Sequence, residues 1–236
     1  MPTQINFPSG QVPAWSISTL QKYMECPLRI YYEKIEKIQS EQGEAAKRGE
    51  NIHKQIEDYL NGLTERPDCL YRMADQFDKL FEDCQAAAKR GADVSHEGEW
   101  AFRADWTRTE WFSEDVWARF KMDSTIIEGN KATVIDYKTG KRYPVQHTLQ
   151  MIYYAIALLL SNPDLEEVTT ELWYVDKKTE NLVRKKYTRG QAMVFYSQMM
   201  ENALKMTSEQ IFHPNPSKFT CRFCPFKTGP CTVGVI

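Results

Sequence analysis

The chain has 236 residues, 42% hydrophobic and 26% charged, with a formal net charge of −2, the balance of a globular protein large enough for a sizeable core. No run approaches twenty apolar residues, which argues against a membrane-spanning helix. The opening M-P-T-Q-I-N-F-P-S-G lacks the basic start and apolar core of a signal peptide, so the expectation is a protein acting inside a cell, in the cytoplasm and without a membrane partner.

Ser16 or Ser18 is positioned to cap a helix beginning at Thr19, and Cys26-Pro27 should interrupt it before L-R-I-Y-Y-E-K resumes. A second helix is predicted over 43–62, with Ile52, Ile56, Tyr59, Leu60 and Leu63 as its apolar stripe, and a third over 70–89. Strand signals follow: 97–106, with Trp100, Phe102 and Ala104 on one face, then 116–127 and 131–138 around the turn Glu128-Gly129-Asn130. Residues 146–161 form the most apolar helix, and 168–175 with 182–188 form another hairpin. A long helix is expected from 189 to 210. The tail from 211 is rich in Pro, Cys and aromatics without a period, so something other than a regular ladder must hold it.

Charge is unevenly spread. Residues 1–115 carry 14 Lys/Arg against 21 Asp/Glu, whereas residues 116–236 carry 16 against 11. Clusters such as Lys138, Lys141, Arg142 and Arg184, Lys185, Lys186, Arg189 fall in the second half, where a polyanion would meet the chain.

The stretch V-I-D-Y-K-T-G-K-R (134–142) carries the first chemistry. In a strand, Asp136 and Lys138 share a face while Tyr137 points the other way. With the turn centred between Gly129 and Asn130, facing residues number 259 in sum, which sets Asp123 opposite Asp136. Directly opposed carboxylates repel unless a proton or cation lies between them. Hard oxygen ligands at such a point suit Mg²⁺ or Mn²⁺, and a lysine beside them can orient a water or meet developing charge.

Asp123 with Asp136-Tyr137-Lys138 matches the D…(D/E)-x-K pattern, and the chain resembles the RecB-like branch of the PD-(D/E)xK nucleases. It is most similar to the small iron–sulfur exonucleases related to the CRISPR-associated RecB-like nuclease, phage versions included. Four motifs occur in order: R-G-E-N-I-H (48–53), the Asp123 strand, Asp136-Tyr137-Lys138, and Gln150-M-I-Y-Tyr154. One position departs from the pattern, with Phe120 where relatives often carry glycine. The resemblance implies metal ligation by His53, Asp123, Asp136 and the Tyr137 carbonyl, with Lys138 serving the water and transition state. Gln150 and Tyr154, with Arg48, Lys141 and Arg142, would contact or support DNA. Glu97 or Glu99 would supply a further acid.

Six cysteines are present, and three of them form C-x₂-C-x₆-C at 221, 224 and 231. Three thiolates are one short of a tetrahedral set, and Cys26 is the plausible fourth. In the relatives such a set binds a 4Fe–4S cluster that joins the two ends of the chain; Zn²⁺ is the alternative occupant. Cys69 and Cys84 read as ordinary thiols.

The expected fold class is α/β, a restriction-endonuclease-like core with a mixed central sheet flanked by helices and termini joined by a cysteine-ligated cluster. The expected organisation is a single nuclease domain over 1–236, with a helical region at 16–90, a core at 97–210 and a cysteine-rich tail at 211–236. The implied activity is metal-dependent exonuclease action on single-stranded DNA ends, possible 5′→3′ preference included, in recombination, repair or phage DNA processing. For a phage-encoded protein the compartment would be the host-cell cytoplasm. A structure-specific endonuclease, and a non-catalytic iron–sulfur DNA-binding module in recombination or CRISPR adaptation, are the alternatives.

Overall fold

The computed structural model describes residues 12–235. In chain order the elements are β1 (Trp15–Ser16), α1 (Ile17–Glu25), α2 (Pro27–Ile30), α3 (Glu44–Leu60), α4 (Ala74–Lys89), β2 (Asp93–Phe102), β3 (Arg108–Thr109), β4 (Ala118–Glu128), β5 (Lys131–Lys138), α5 (Pro144–Ser161), β6 (Glu167–Tyr174), β7 (Leu182–Thr188), α6 (Arg189–Met193) and α7 (Tyr196–Thr207). They gather into two compact units. One comprises Gly43–Trp100 and Phe120–Tyr196; the other comprises the described residues up to Gln42, Ala101–Arg119 and the described residues from Ser197 onward.

The first of these units carries the larger sheet, with β2, β4, β5, β6 and β7 side by side in that order. Gly129 takes a φ of 59° at the hairpin turn, a conformation that costs a residue without Cβ little. The pairs run from Glu128↔Lys131 to Ser124↔Ile135, so the register follows the expected sum. Strand β5 then pairs in parallel with β6 over its whole length, from Lys131↔Glu167 to Lys138↔Tyr174. Parallel neighbours need a crossover, and α5 supplies it. Residues Met151–Leu159 of α5 are all buried, which explains why its sequence is apolar on every side.

Helices α3 and α4 close a second layer around Ile52, Ile56, Phe77, Leu80, Tyr137 and Trp173. The rings of Phe77 and Trp173 meet edge to face at 5.0 Å, a favoured aromatic arrangement. Leu63 does not belong to this core. The helix stops at Leu60, Gly62 turns the chain at a φ of 73°, and Leu63 is left 72% exposed.

In the other unit, the Ser16 side chain caps α1 in a reciprocal box with Thr19. Cys26 breaks off at a φ of −159°, and Pro27 opens α2, where its missing N–H is harmless. Strand β1 runs parallel to the start of β4, and β3 pairs antiparallel with the end of β2. Strand β2 starts earlier and ends sooner than its alternation predicts. Asp105 accepts hydrogen bonds from the backbone and hydroxyl of Thr107, and this turn takes Ala104 out of the strand. Among the described residues the tail has no regular element after α7. Its aromatic residues pack instead, with Phe226 against Tyr32 and Phe212 against Tyr31.

The single helix expected over 189–210 is two. Helix α6 has its own capping box, Thr188 with Gln191, and the chain breaks at Val194 and Phe195, which are 76% and 40% exposed. The break falls beside the boundary between the two units at Tyr196 and Ser197. Two helices belonging to different cores need not share one apolar stripe.

Candidate metal-dependent nuclease site

Strand β5 delivers Asp136 and Lys138 to one face, as its period requires. Asp136 is 1% exposed. Its Oδ1 accepts from Gln150 Nε2 at 3.0 Å, and the Gln150 carbonyl accepts from Lys138 Nζ at 2.9 Å. Gln150 Nε2 also donates to the Tyr154 hydroxyl at 2.7 Å, which in turn donates to the Lys121 carbonyl at 2.7 Å. The four-residue spacing of Gln150 and Tyr154 on α5 makes this chain possible. Phe120 packs edge-on against the Tyr154 ring at 6.1 Å, filling space that a glycine would leave open.

Tyr137 turns the other way. Its hydroxyl meets Ser124 Oγ at 2.7 Å in the core, while its backbone serves the site. The Tyr137 N–H donates to Asp123 Oδ2 at 2.6 Å, and its carbonyl lies 2.9 Å from His53 Nε2. On its other nitrogen, His53 meets Glu97 Oε1 at 2.9 Å and Asp123 Oδ1 at 3.4 Å. Among the described residues, His53, Glu97 and Asp123 bring their potential ligand atoms within 4.8 Å of one another. Asp136 and Lys138 line the same cleft, about 690 Å³ in volume.

Sequence patterning left Glu97 and Glu99 open. Glu97 faces the cleft and Glu99 is exposed outside it. The backbone explains why alternation could not decide. Glu97 has a φ of 53°, a left-handed conformation costing on the order of 1–3 kcal/mol for a non-glycine residue. At the next position, Gly98, an added Cβ would lie 2.8 Å from Trp100 Nε1 and 2.9 Å from Ser95 Oγ. Lys121 was also missed. Its Nζ lies 2.9 Å from Glu97 Oε2, and its place two residues before Asp123 on β4 was the available signal.

Gly49 permits a close approach, because a Cβ there would come within 3.2 Å of Thr139 Oγ1 in the loop after β5. Arg48 is not in the cleft. It forms a two-pronged pair with Asp176 at 2.7 and 3.0 Å, and Asp176 also accepts from the Gly140 N–H. Arg142 lies over the Tyr174 ring at 4.6 Å, and Lys141 is exposed. None of these three lines the cleft.

The profile of the PD-(D/E)XK nuclease superfamily matches residues 14–229. The chain belongs to that superfamily. The mixed sheet with its helices is consistent with a restriction-endonuclease-like fold, and membership supports a metal-dependent nuclease acting on nucleic acid. No curated protein matches the chain. Among solved structures, that of SSO0001 is similar with a TM-score of 0.46 and 15% identity, covering 95% of this chain and 88% of that one; a likeness at that level carries no argument. No helix among the described residues is long and apolar enough to cross a membrane.

The electrostatics of this PD-(D/E)XK site fit a divalent cation. Asp136 Oδ2 is buried without a hydrogen bond, its nearest partner being the Lys138 ammonium at 2.6 Å. Burial raises the Asp136 carboxyl to about 6, with Lys138 opposing and Asp123 adding to the rise. Burial pushes the His53 imidazolium down, but Asp123 and Glu97 outweigh it and lift His53 to about 10. A metal-free site therefore holds protonated His53 at neutral pH. Metal must displace that proton, so Mn²⁺ affinity measured by calorimetry should rise roughly tenfold per pH unit between about pH 7 and 9. In His53→Asn the slope should flatten; an unchanged slope would remove His53 from the ligand set.

The other unit holds a second donor set. Cys26, Cys221, Cys224 and Cys231 line one cavity together with Tyr32 and Phe226. The Asn215 N–H donates to Cys26 Sγ at 3.4 Å. Hydrogen bonding from the Val235 backbone holds the Cys221 thiol below its ordinary range, which favours the thiolate that metals bind. Cys84 is buried and Cys69 half-buried, both away from this cavity.

Proposed function

We propose that the protein is a DNA exonuclease working on single-stranded ends, in recombination, repair or phage DNA processing. The observation that carries the nuclease reading is the convergence of His53, Glu97, Asp123, Asp136 and Lys138 on one cleft. Mg²⁺ or Mn²⁺ would be held by His53, Asp123, Asp136 and the Tyr137 carbonyl, with Glu97 as a further acid. When bound, the ion supplies a polarised phosphodiester and a more acidic water.

The chain's own residues do the rest. Burial opposes the charge on Lys138, but Asp136 and Asp123 outweigh it and raise its pKa. Lys138 is therefore an ammonium at neutral pH, suited to meeting negative charge on the phosphate rather than to taking a proton. Gln150 holds Lys138 and Asp136 in one arrangement, and Tyr154 holds Gln150. Such a linked set keeps the donors aimed before substrate arrives.

The four cysteines are the proposed ligands of a 4Fe–4S cluster. They line one cavity, and Zn²⁺ is the alternative occupant for four thiolates.

Digestion of end-labelled linear DNA beside circular single strands, with Mn²⁺ present, tests the activity. Release of nucleotides from linear single strands with circles left intact is expected, and the labelled end gives the polarity. Cutting of circles would instead make the protein an endonuclease.

A further inference from the structure

The cysteine-bearing tail divides its aromatic residues into two kinds. Phe212 and Phe226 are 7% and 2% exposed and supply the apolar contacts of this segment. Phe219 and Phe223 are 91% and 80% exposed. Neither adds to a core, and each directly follows a cation, Lys218 and Arg222 respectively, both of them exposed. The Arg222 guanidinium lies over the Phe223 ring at 5.1 Å from its centroid. From residue 210 to the end there is no Asp or Glu, while Lys218, Arg222 and Lys227 lie in that stretch.

The two rings are also held in place. Ser217 Oγ accepts from the Thr220 N–H at 3.0 Å, and the Thr220 hydroxyl donates to the Asn215 carbonyl at 2.8 Å. The Cys221 N–H donates to the Ser217 carbonyl at 2.9 Å and the Cys224 N–H to the Cys221 carbonyl at 3.2 Å. These turns fix the backbone on both sides of Phe219 and Phe223. Water-exposed aromatic rings on an ordered backbone, alternating with cations and free of acids, have the composition of a base-stacking platform.

We infer that Phe219 and Phe223 stack on unpaired bases of a single-stranded nucleic acid while Lys218 and Arg222 meet its phosphates. The inference rests on the nuclease reading for the class of partner, and it assigns binding to a surface that the metal-cleft residues do not form. Stacking on a ring is tolerant of sequence because every base presents a π-face. The platform accordingly confers a preference for unpaired over paired strands rather than for particular bases.

The test uses the full chain and a fluorescein-labelled oligothymidylate, with a duplex as comparison and chelator present so that nothing is cut. Replacing both rings, Phe219→Ala with Phe223→Ala, should weaken single-strand binding by roughly tenfold or more per ring and leave duplex binding little changed. Restoring aromatic surface with Phe219→Trp and Phe223→Trp should return the affinity. Lys218→Ala with Arg222→Ala should instead reduce the salt dependence of binding by about one unit per cation. Unchanged single-strand affinity in the double alanine variant overturns the inference. Loss of sedimentation with anionic phospholipid vesicles, and not of oligonucleotide binding, would also overturn it and assign the patch to a lipid surface. If the wild type digests DNA while the double alanine variant binds as tightly as it does, this inference falls alone. If the wild type neither binds nor digests, the nuclease reading falls with it.

Discussion

Asp136→Ala is expected to lower DNA cleavage by a factor on the order of 10³ or more, the scale of several kcal/mol of lost transition-state stabilisation. Its effect on stability is the balance of two opposed changes. The Asp136 carboxyl stands at about 6 in the folded protein, against about 3.9 in an unfolded chain. A raised folded value means a contribution that is fully present below about pH 4 and is lost as pH rises through 6. Above pH 6 the ionised, buried carboxylate is thus a net cost in the metal-free protein. Alanine removes that cost but also removes the carboxylate that holds the buried Lys138 in its charged form, so the two changes oppose one another, and Lys138 keeps its hydrogen bond to Gln150. Melting curves in chelator at about pH 8 should therefore place Asp136→Ala close to the wild type, and added Mn²⁺ should raise the wild type by more. Cleavage within tenfold of the wild type would remove Asp136 from the mechanism. A sharply lowered melting temperature with cleavage lost would make its role structural.

Cys224→Ala should have the second large effect. The tail has no regular element to hold it, and a bound metal centre contributes folding free energy that a ladder would otherwise supply. Purified anaerobically, the wild type should be brown and carry iron, and Cys224→Ala should be colourless. Loss of several kcal/mol corresponds to a fall of about 10 °C or more in the midpoint for a chain of this size. Cys84→Ala is the control, because that thiol lies in the α3–α4 core and its loss should leave colour intact. A brown Cys224→Ala variant would overturn the cluster assignment, and a colourless wild type containing zinc would replace iron with zinc.

The site was legible where short-range rules govern it. A glycine turn fixes the hairpin register, and the register places Asp123 and Asp136 without knowledge of the fold. Helical spacing likewise foretold that Gln150 and Tyr154 act on one face. Glu97 was legible only as one of two candidates with Glu99, because its side chain is aimed by a left-handed backbone angle that breaks the alternation on which strand reading depends. The pairing of Arg48 was not legible for a different reason. Its partner Asp176 is 128 residues away, and a basic residue beside a motif does not reveal whether its charge is already engaged. Leu63 kept the helical period in sequence, but Gly62 ends the helix just before it. The break at Val194 and Phe195 carries no glycine or proline, so only the division of the chain between two cores accounts for it.

The unit bearing the cysteines is assembled from three stretches of chain, the last of which starts at Ser197. Cys26 therefore leaves the ribosome long before its companions. At about 5–20 residues per second, roughly 10–40 s of synthesis separate it from Cys221. No nascent chain can complete the four-thiol set before Cys231 is made. The cysteine-bearing unit thus completes its residues after the cleft-bearing unit, which has all of its own by Tyr196. A stop codon between Tyr196 and Cys221 would leave every cleft residue encoded and none of the later thiols, so it should yield a chain whose defect is one of assembly rather than of catalytic chemistry.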